Sequence, residues 1–331
     1  MCSTPQSAGH SYLTGRTNDR PGLTPLPPAL AERLAQILGD QYDEYTRQLD
    51  TPPRPCLRAN TLKATVDEVR ELVTRQGLAL EPVPWSPTGY WINDGGHGLG
   101  DSVEHFQGLF YLQDAASLLP PEALSPAPGE TVMDAAAAPG GKTTHIAALM
   151  NNQGALAANE IDAHRTRVLR FNLNRMGVLN AAVTTLDMSR LPDTGQIFDK
   201  VLLDAPCSCE GRIQEDPEAL AQWRPAKVQR CSRLQRKLLE NCFSLLAPGG
   251  ALVYSTCTLS PEENEGVVDH LLKTRSDADV EEIEVTPSRH AGGIPEWQGT
   301  TYDDRVTRCL RLYPHHQGTQ GFFIARILKC R

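Results

Sequence analysis

A doubly wound, mostly parallel α/β sheet preceded by a small α+β domain is the fold class predicted for this 331-residue chain. Three observations predict it. From Glu130 onward, strand-like and helix-like runs alternate, the signature of successive βα units. One run, DKVLLDA (199–205), is apolar through its centre, as in a strand covered on both faces. A glycine-containing turn, Ala136-Ala137-Ala138-Pro139-Gly140-Gly141-Lys142, lies between the first of these strands and its helix.

The elements follow in order. Residues 1–24 are polar and rich in Gly, Ser, Thr and Pro, the composition of a flexible segment. Residues 28–49 pattern as helix, with Pro28 at a permitted start and Gly39 weakening the middle enough to predict two short helices. CLRANTL (56–62) reads as a strand. Thr65 with Glu68 three residues on forms a capping box, and Gly77 stops the helix that it opens. LEPVPW (80–85) and GYWIN (89–93) are short strand-like pieces. Together these give a small α+β domain over 25–118. The Pro-rich stretch 119–130 reads as a linker to the larger domain, 131–331.

In that larger domain TVMDAAA, GALAANE, AAVTTLD, DKVLLDA and ALVYSTC are the strands, with GKTTHIAALMNN and DAHRTRVLRFNLNRMG among the helices. A long helix is predicted over 227–247, stopped by Pro248-Gly249-Gly250. Another is predicted over PEENEGVVDHLL, with Pro261 in its first turn. VEEIEV and GFFIARIL complete the set. No helical crossover separates these last two, so antiparallel pairing is predicted.

Composition narrows the function classes. Hydrophobic residues make up 40% and charged residues 22%, an ordinary globular balance. No run approaches the ~20 apolar residues of a membrane span. MCSTPQSAGHSYLTG has neither a basic start nor an apolar core, so a signal peptide is not expected. Nine thinly spread cysteines fit reduced thiols and a cytoplasmic protein. The net charge of −8 is unevenly placed: residues 262–304 hold twelve carboxylates against Lys273, Arg275 and Arg289. Two basic series remain. One is Arg224, Lys227, Arg230, Arg233, Arg236 and Lys237 at helical intervals; the other is the C-terminal set from Arg305 to Arg331. Local charge therefore permits a nucleic-acid partner that net charge alone would oppose.

The turn at 136–142 admits two ligands. A phosphate-binding loop needs glycine where Ala136 stands, and Pro139 removes a donor from the nest. The alternative is an adenosine cofactor at the carboxyl ends of the sheet. That site wants an acid at the end of the second strand for the ribose, where Glu160 lies. Asp187, ending the third strand, is placed to accept from an adenine amine. Asp204-Ala205-Pro206-Cys207-Ser208-Cys209 follows the fourth strand and Ser255-Thr256-Cys257 the fifth, so both sequences face one crevice. Cys207 and Cys209 are spaced C-x-C with no second Cys/His pair nearby, so no metal is expected. Cys257 reads either as a reactive thiol or as a small buried hydrophobe.

DAAAAPGGKT, NEIDAHR, DAPCSCEG, YSTCTLSPEENE and PHHQGTQGFFIARI, with LRANTLK and FYLQDAAS, resemble in order the motifs of the Sun-type RNA cytosine-5 methyltransferases, the bacterial ribosomal RNA enzymes above all. The resemblance spans about Leu26 to Lys329. It implies a Rossmann-like class I methyltransferase fold and S-adenosyl-L-methionine as cofactor. The cofactor would rest on Ala136, Ala137, Ala138, Pro139, Gly140, Gly141 and Lys142, with Glu160, Asp187 and Asp204. It also implies Cys257 as nucleophile, Cys207 in product release and Asp204 at the base. Arg165 is expected close by. Phe110, Tyr111 and Tyr313 are candidate stacking platforms, with the small domain, the basic helix and the basic tail holding flanking RNA. Ribosomal RNA is the expected partner and transfer RNA the alternative; no membrane, no metal and a monomer are expected. Two departures are expected: Ala136 stands where many members have a cysteine, and the further C-terminal RNA-binding domain of some relatives is not expected here. Methylation of an exocyclic amine fits less well, since Asp204-Ala205-Pro206-Cys207 replaces the Pro-Pro-aromatic run used there. A non-catalytic RNA-binding assembly factor is the remaining rival, although a binder has no use for a thiol pair.

Overall fold

The computed structural model describes residues 26–330 except 94, 95, 97, 192–197, 217–219, 285 and 286. The N-terminal stretch 1–24, expected to be flexible, lies outside the described residues. Helices α1 (Pro28–Leu38) and α2 (Tyr42–Leu49) are separated by a tight turn at Gly39–Gln41, where Gly39 takes φ +52°. The predicted pair is thus present. Its apolar faces (Leu30, Leu34, Tyr45) cover Ile213, Trp223, Val228 and Tyr313 from the far end of the chain, not the neighbouring small sheet.

That small sheet is antiparallel, in the order β2 (Leu80–Pro82), β3 (Gly89–Ile92), β1 (Cys56–Ala59), β4 (Phe110–Leu112). Helix α3 (Val66–Arg75) packs on it, opened by the Thr65/Glu68 capping box that the sequence predicts. Strand β4 was not foreseen. It places Phe110 in the small core and buries Tyr111, and Tyr313 is buried against the ring of His315; none of the three is available as a stacking platform.

The 119–130 stretch is not a free linker. After a short helix α4 (Val103–Phe106), helix α5 (Leu119–Leu124) lies against the central sheet with Leu119, Pro120, Pro121, Ala123 and Leu124 buried. Its prolines fall in the first turn, where no intrahelical N–H is lost.

The central sheet contains five parallel strands: β5 (Thr131–Asp134), β6 (Ala155–Asn159), β7 (Ala181–Thr184), β8 (Phe198–Asp204) and β9 (Leu246–Thr256). Their spatial order is β7-β6-β5-β8-β9. The chain therefore runs outward from β5 and then returns to its other side, which puts the switch point between β5 and β8. Helices α6 (Gly141–Leu149) and α7 (Ala163–Met176) follow β5 and β6. Helix α8 (Pro225–Ser244) ends before Pro248-Gly249-Gly250, which instead enter β9. Helix α9 (Glu265–Thr274) begins four residues later than Pro261, because residues 261–264 form turns in which Pro261, Glu263 and Asn264 are buried.

Strand β10 (Ala278–Glu281) precedes the short pieces β11 (Ala291–Gly292), β12 (Glu296–Trp297), β13 (Thr300–Thr301) and β14 (Leu310–Leu312). After the single-turn helix α10 (Pro314–Gln317), β15 (Phe322–Lys329) inserts antiparallel between β9 and β14, and β10 pairs antiparallel with β15 as predicted. Among the described residues no helix is long and apolar enough to cross a membrane.

The acidic segment explains itself at this edge. Arg305 pairs with Asp303 and Asp279, Arg308 approaches Asp279, and Arg326 pairs with Glu281. Arg311, fully buried, holds Glu265 through two 2.6 Å bonds. Lys329 caps carbonyls at the end of α8 and the start of β9. The C-terminal cations from Arg305 to Lys329 are thus consumed internally, and the basic tail is not a free RNA grip; Arg331 lies outside the described residues.

A buried polar clamp joins the loops after β8 and β9. Glu263 accepts from Ser208 N (3.1 Å) and from Gln235 Nε2 (2.9 Å). Glu210 accepts from Trp223 Nε1 (2.6 Å), Ser260 Oγ (2.7 Å), Thr258 Oγ1 (3.1 Å) and Leu259 N (3.2 Å). The Ser208 and Thr258 hydroxyls bond at 2.7 Å, and Gly211 N donates to Cys257 O at 2.9 Å. Gly211 has no alternative, because a Cβ there would stand 2.1 Å from Gly321 O.

Burial, with nearby Glu210 adding, pushes the Glu263 carboxyl up to about 8. A folded value above the unfolded one means a proton held more tightly in the native state. That stabilisation is complete below about pH 4.5 and is lost as pH rises through 8, amounting to something on the order of 4 kcal/mol. Glu263→Gln should match the parent at pH 5 and exceed it in stability at pH 9, measured by urea unfolding across that range. Parallel pH profiles for the two proteins would refute the assignment.

Candidate active site

The crevice forms where the ends of β5, β8 and β9 meet the start of α6. Gly140 takes φ +112°, a conformation that a side chain would strain, and starts α6 without a side-chain cap. Two carbonyls of the turn are tied back to α7: Arg165 Nη2 donates to Ala138 O (2.6 Å) and Asn172 Nδ2 to Pro139 O (2.9 Å). The Ala138–Pro139 bond is cis. Ala137 N donates to Asn159 O, so this residue spends its amide within the sheet. The first N–H groups of α6, on Gly141, Lys142 and Thr143, have no intrahelical partners.

The predicted polar residues divide. Glu160 is 2% exposed at the end of β6. Its Oε1 accepts from Asp162 N; its Oε2 lies 3.1 Å from Arg165 Nη1 but outside hydrogen-bond geometry, leaving a buried oxygen unsatisfied. Arg165 therefore braces both the turn and Glu160. Asp187 is half-exposed and caps a short turn, accepting from Ser189 N (3.0 Å) and Ser189 Oγ (2.7 Å), bonds that lower its carboxyl. One of its oxygens is thus occupied locally. Asp204 at the end of β8 accepts from Ser255 Oγ (2.7 Å) and meets Lys142 Nζ at 2.7 Å. This ion pair stitches the glycine turn to the fourth strand.

Two polar residues not singled out from sequence also line this region. Asp134, at the end of β5, takes a 2.7 Å bond from Thr143 Oγ1 while its Oδ1 is buried without a partner; burial raises its carboxyl to about 6. Gln113 stands against Gly141, where a Cβ would come within 3.0 Å of its Oε1, and both its amide atoms are buried unpaired. Both residues lie inside quoted motifs, DAAAAPGGKT and FYLQDAAS, but nothing in their spacing marked them. Buried donors and acceptors without partners are rare in folded proteins. Glu160 Oε2, Asp134 Oδ1 and the Gln113 amide, gathered around a glycine turn, fit a polar adenosine-type ligand.

The thiols converge. Cys207 Sγ lies 3.3 Å from Cys257 Sγ and 3.9 Å from Cys209 Sγ. Cys207 is buried, while Cys209 and Cys257 are partly exposed. Bonds with the other two sulfurs, and burial, push the Cys207 thiol well up. Its bond with Cys207 draws Cys257 down, but the Cys209 contact and burial outweigh it and leave that thiol raised. Cys209 is driven down by bonds from Cys207 and Cys257, with Arg212 and Lys227 adding positive charge. Arg212 and Lys227 thus offset negative charge on a cluster that includes Cys209, a residue that C-x-C spacing does not mark.

Comparison with known proteins matches the description "16S rRNA methyltransferase RsmB/F" over residues 121–328 and "N-terminal domain of 16S rRNA methyltransferase RsmF" over 26–115. The ribosomal RNA small subunit methyltransferase F of Serratia proteamaculans is 41% identical over 94% of this chain and 64% of its own length. The tRNA (cytosine(49)-C(5))-methyltransferase of Pyrococcus abyssi is 40% identical over 91% of this chain and 96% of its own. A crystal structure of a methyltransferase homologue from Pyrococcus horikoshii superposes with a TM-score of 0.82 at 36% identity, covering 91% of this chain and 94% of that one. The chain thus spans about two thirds, 64%, of the Serratia relative. The fold is the class I methyltransferase fold, and the cofactor of this methyltransferase family is S-adenosylmethionine. Matched by that family's model over residues 121–328 and, over 94% of its own length, 41% identical to one of the family's named members, this chain belongs to the RsmB/F family of 16S rRNA methyltransferases.

Proposed function

We propose that this protein methylates carbon 5 of cytosine in RNA, with small-subunit ribosomal RNA as the substrate class. The observation that supports it above all is the pair of strand-end sulfurs, Cys207 and Cys257, 3.3 Å apart beside an Asp204 held by Lys142 from the glycine turn. A binding module gains nothing from such a pair.

Carbon 5 of cytosine is too electron-poor to attack an electrophile directly. Cys257 releases its thiol proton to water and adds to carbon 6, forming a C–S bond and moving the electron pair of the double bond onto carbon 5. Asp204 shares a proton with the ring nitrogen between carbonyl and amine, where the charge spreads. Ser255 and Lys142 fix the orientation of that carboxyl. S-adenosylmethionine, when bound, supplies an electrophilic methyl group to carbon 5. Cys207, its own proton released to water once Cys257 is bonded to carbon, then takes the carbon-5 proton, the double bond re-forms, and Cys257 leaves as thiolate. Glu160 would hold the ribose hydroxyls of that cofactor. The clamp around Glu210 and Glu263 keeps both sulfurs in register through each step.

The target base must leave its stack to reach the crevice. Flanking RNA has two surfaces to follow. Arg224, Arg230, Arg233 and Lys237 are exposed on and just before α8. A groove of about 680 Å³ between the small sheet and α7 presents Phe106 (71% exposed) and Phe171 (55% exposed) beside Lys63 and Arg175. Aromatic faces flanked by cations suit unpaired bases. These surfaces replace Phe110, Tyr111 and Tyr313 and the basic tail in the RNA-binding role.

Cys257→Ala should abolish turnover and adduct formation, while Cys207→Ala should accumulate a covalent RNA–protein species on denaturing gels. The reverse pattern would overturn the assignment. Bisulfite sequencing of RNA incubated with the protein identifies the target; a site in transfer RNA alone would move the substrate class. Glu160→Gln should weaken S-adenosylmethionine binding roughly 10- to 100-fold by calorimetry, the worth of a charged hydrogen bond of about 1.5–3 kcal/mol. Phe171→Ala should weaken RNA binding at least about fivefold, with cofactor binding unchanged, if a base stacks there.

A further inference from the structure

Cys209 has no part in the reaction above, yet it is kept in a costly place. It is a non-glycine residue at φ +67°, ψ +29°. A Cβ in that left-handed region is unfavourable by about 1–2 kcal/mol, so glycine would be the relaxed choice. An outlier of this kind next to reactive groups points toward function. Its sulfur completes a triangle: 3.9 Å to Cys207 Sγ, 3.3 Å from there to Cys257 Sγ, and all three sulfurs within 4.8 Å of one another. A tetrahedral ion with three thiolates at about 2.3 Å needs S···S edges of about 3.8 Å.

We propose that Cys207, Cys209 and Cys257 form a three-thiolate site for a soft, thiophilic divalent cation of the zinc type, with one coordination position open. The site is built from three sulfurs on two rigid loops, held together by Ser208–Thr258, Ser208–Glu263 and Gly211–Cys257 bonds. Three thiolates and a dication leave one negative charge, which Lys227, bonded to Ser208 O at 3.3 Å, and Arg212 are near enough to offset. Cys209 and Cys257 are partly exposed, so the ion has a route from solvent and its fourth position takes water. Thiol protons are released as the metal–sulfur bonds form, and nothing is oxidised or reduced.

Ligation removes both thiols on which the proposed reaction depends, so occupancy silences methyl transfer. That consequence rests on the proposed function; the binding itself does not.

The test uses the reduced, metal-free full chain titrated anaerobically with Co²⁺ and then Zn²⁺. One Co²⁺ per chain should bind, with a thiolate-to-metal charge-transfer band that one Zn²⁺ abolishes. Cys209→Ser and Cys209→Gly, the latter at ease at this φ, should lower affinity more than about 100-fold, beyond the loss of an outer-shell partner. The exposed Cys330 serves as the control: Cys330→Ser should bind as the parent does. One equivalent of Zn²⁺ should stop methyl transfer in the parent, reversibly with chelator, while Cys209→Gly should keep with zinc whatever rate it shows without it. An unchanged cobalt band in both Cys209 variants, no stoichiometric binding, or equal zinc inhibition of parent and Cys209→Gly would overturn the site. An inactive metal-free parent that still binds cobalt through Cys209 would sink the proposed function and leave the metal site standing.

Discussion

The hydrogen-bonded burial of Glu210 and Glu263 between two strand-end loops sets the spacing on which the site depends. Neither loop has regular backbone pairing to position it. The Cys207-Ser208-Cys209 segment and the Thr256–Asn264 segment are held instead by carboxylates that each accept several bonds from the opposite side. In a low-dielectric interior such bonds are strong, and leaving any of them unmade is expensive, so the network admits one arrangement. Two thiols on different strands are thereby kept at 3.3 Å, close enough to work on one ring. The close approach of Gly211 to Gly321 locks the same loop from beneath, against β15.

Charge is distributed by the same logic of local satisfaction. A net charge of −8 with a dense acidic stretch gives the impression of a chain hostile to RNA. Much of that acid turns inward or toward the far edge of the sheet, where it neutralises Arg305, Arg311 and Arg326. The buried Arg311–Glu265 pair is the extreme case, two-pronged and additionally bonded to Leu259 O and Ile294 N. What remains unpaired at the surface of α8 is basic. Net charge was a poor guide because acids and bases up to 46 residues apart in sequence cancel one another in the fold.

Regular elements were legible wherever a local signal set them. The Thr65/Glu68 box, the break at Gly39 and the antiparallel pairing of β10 with β15 are all present. Misreadings occurred where tertiary contact overrode local cues. Pro120 and Pro121 resemble linker prolines but occupy the first turn of a buried helix. Pro248 and Gly249 resemble a helix stop but enter β9, where the pairing with β8 shifts register. Phe110 and Tyr111 were candidates for stacking, yet β4 pairs with β1 and turns them inward. A three-residue strand carries too little pattern to be found alone.

For the site, the sequence by itself determined which residues stand at the strand ends: the glycine turn, Glu160, Asp204, Cys207 and Cys257. It could do so because a parallel α/β sheet sends every loop after a strand to the same edge. The tertiary structure alone decided which of them touch. It joined Lys142 to Asp204, spent one face of Asp187 on a local turn, left Glu160 Oε2 unsatisfied, and brought Cys209 into a triangle with thiols two and forty-eight residues away. The reason is physical: a motif specifies spacing along the chain, whereas contact across the crevice depends on loop paths fixed by buried carboxylates elsewhere in the sequence.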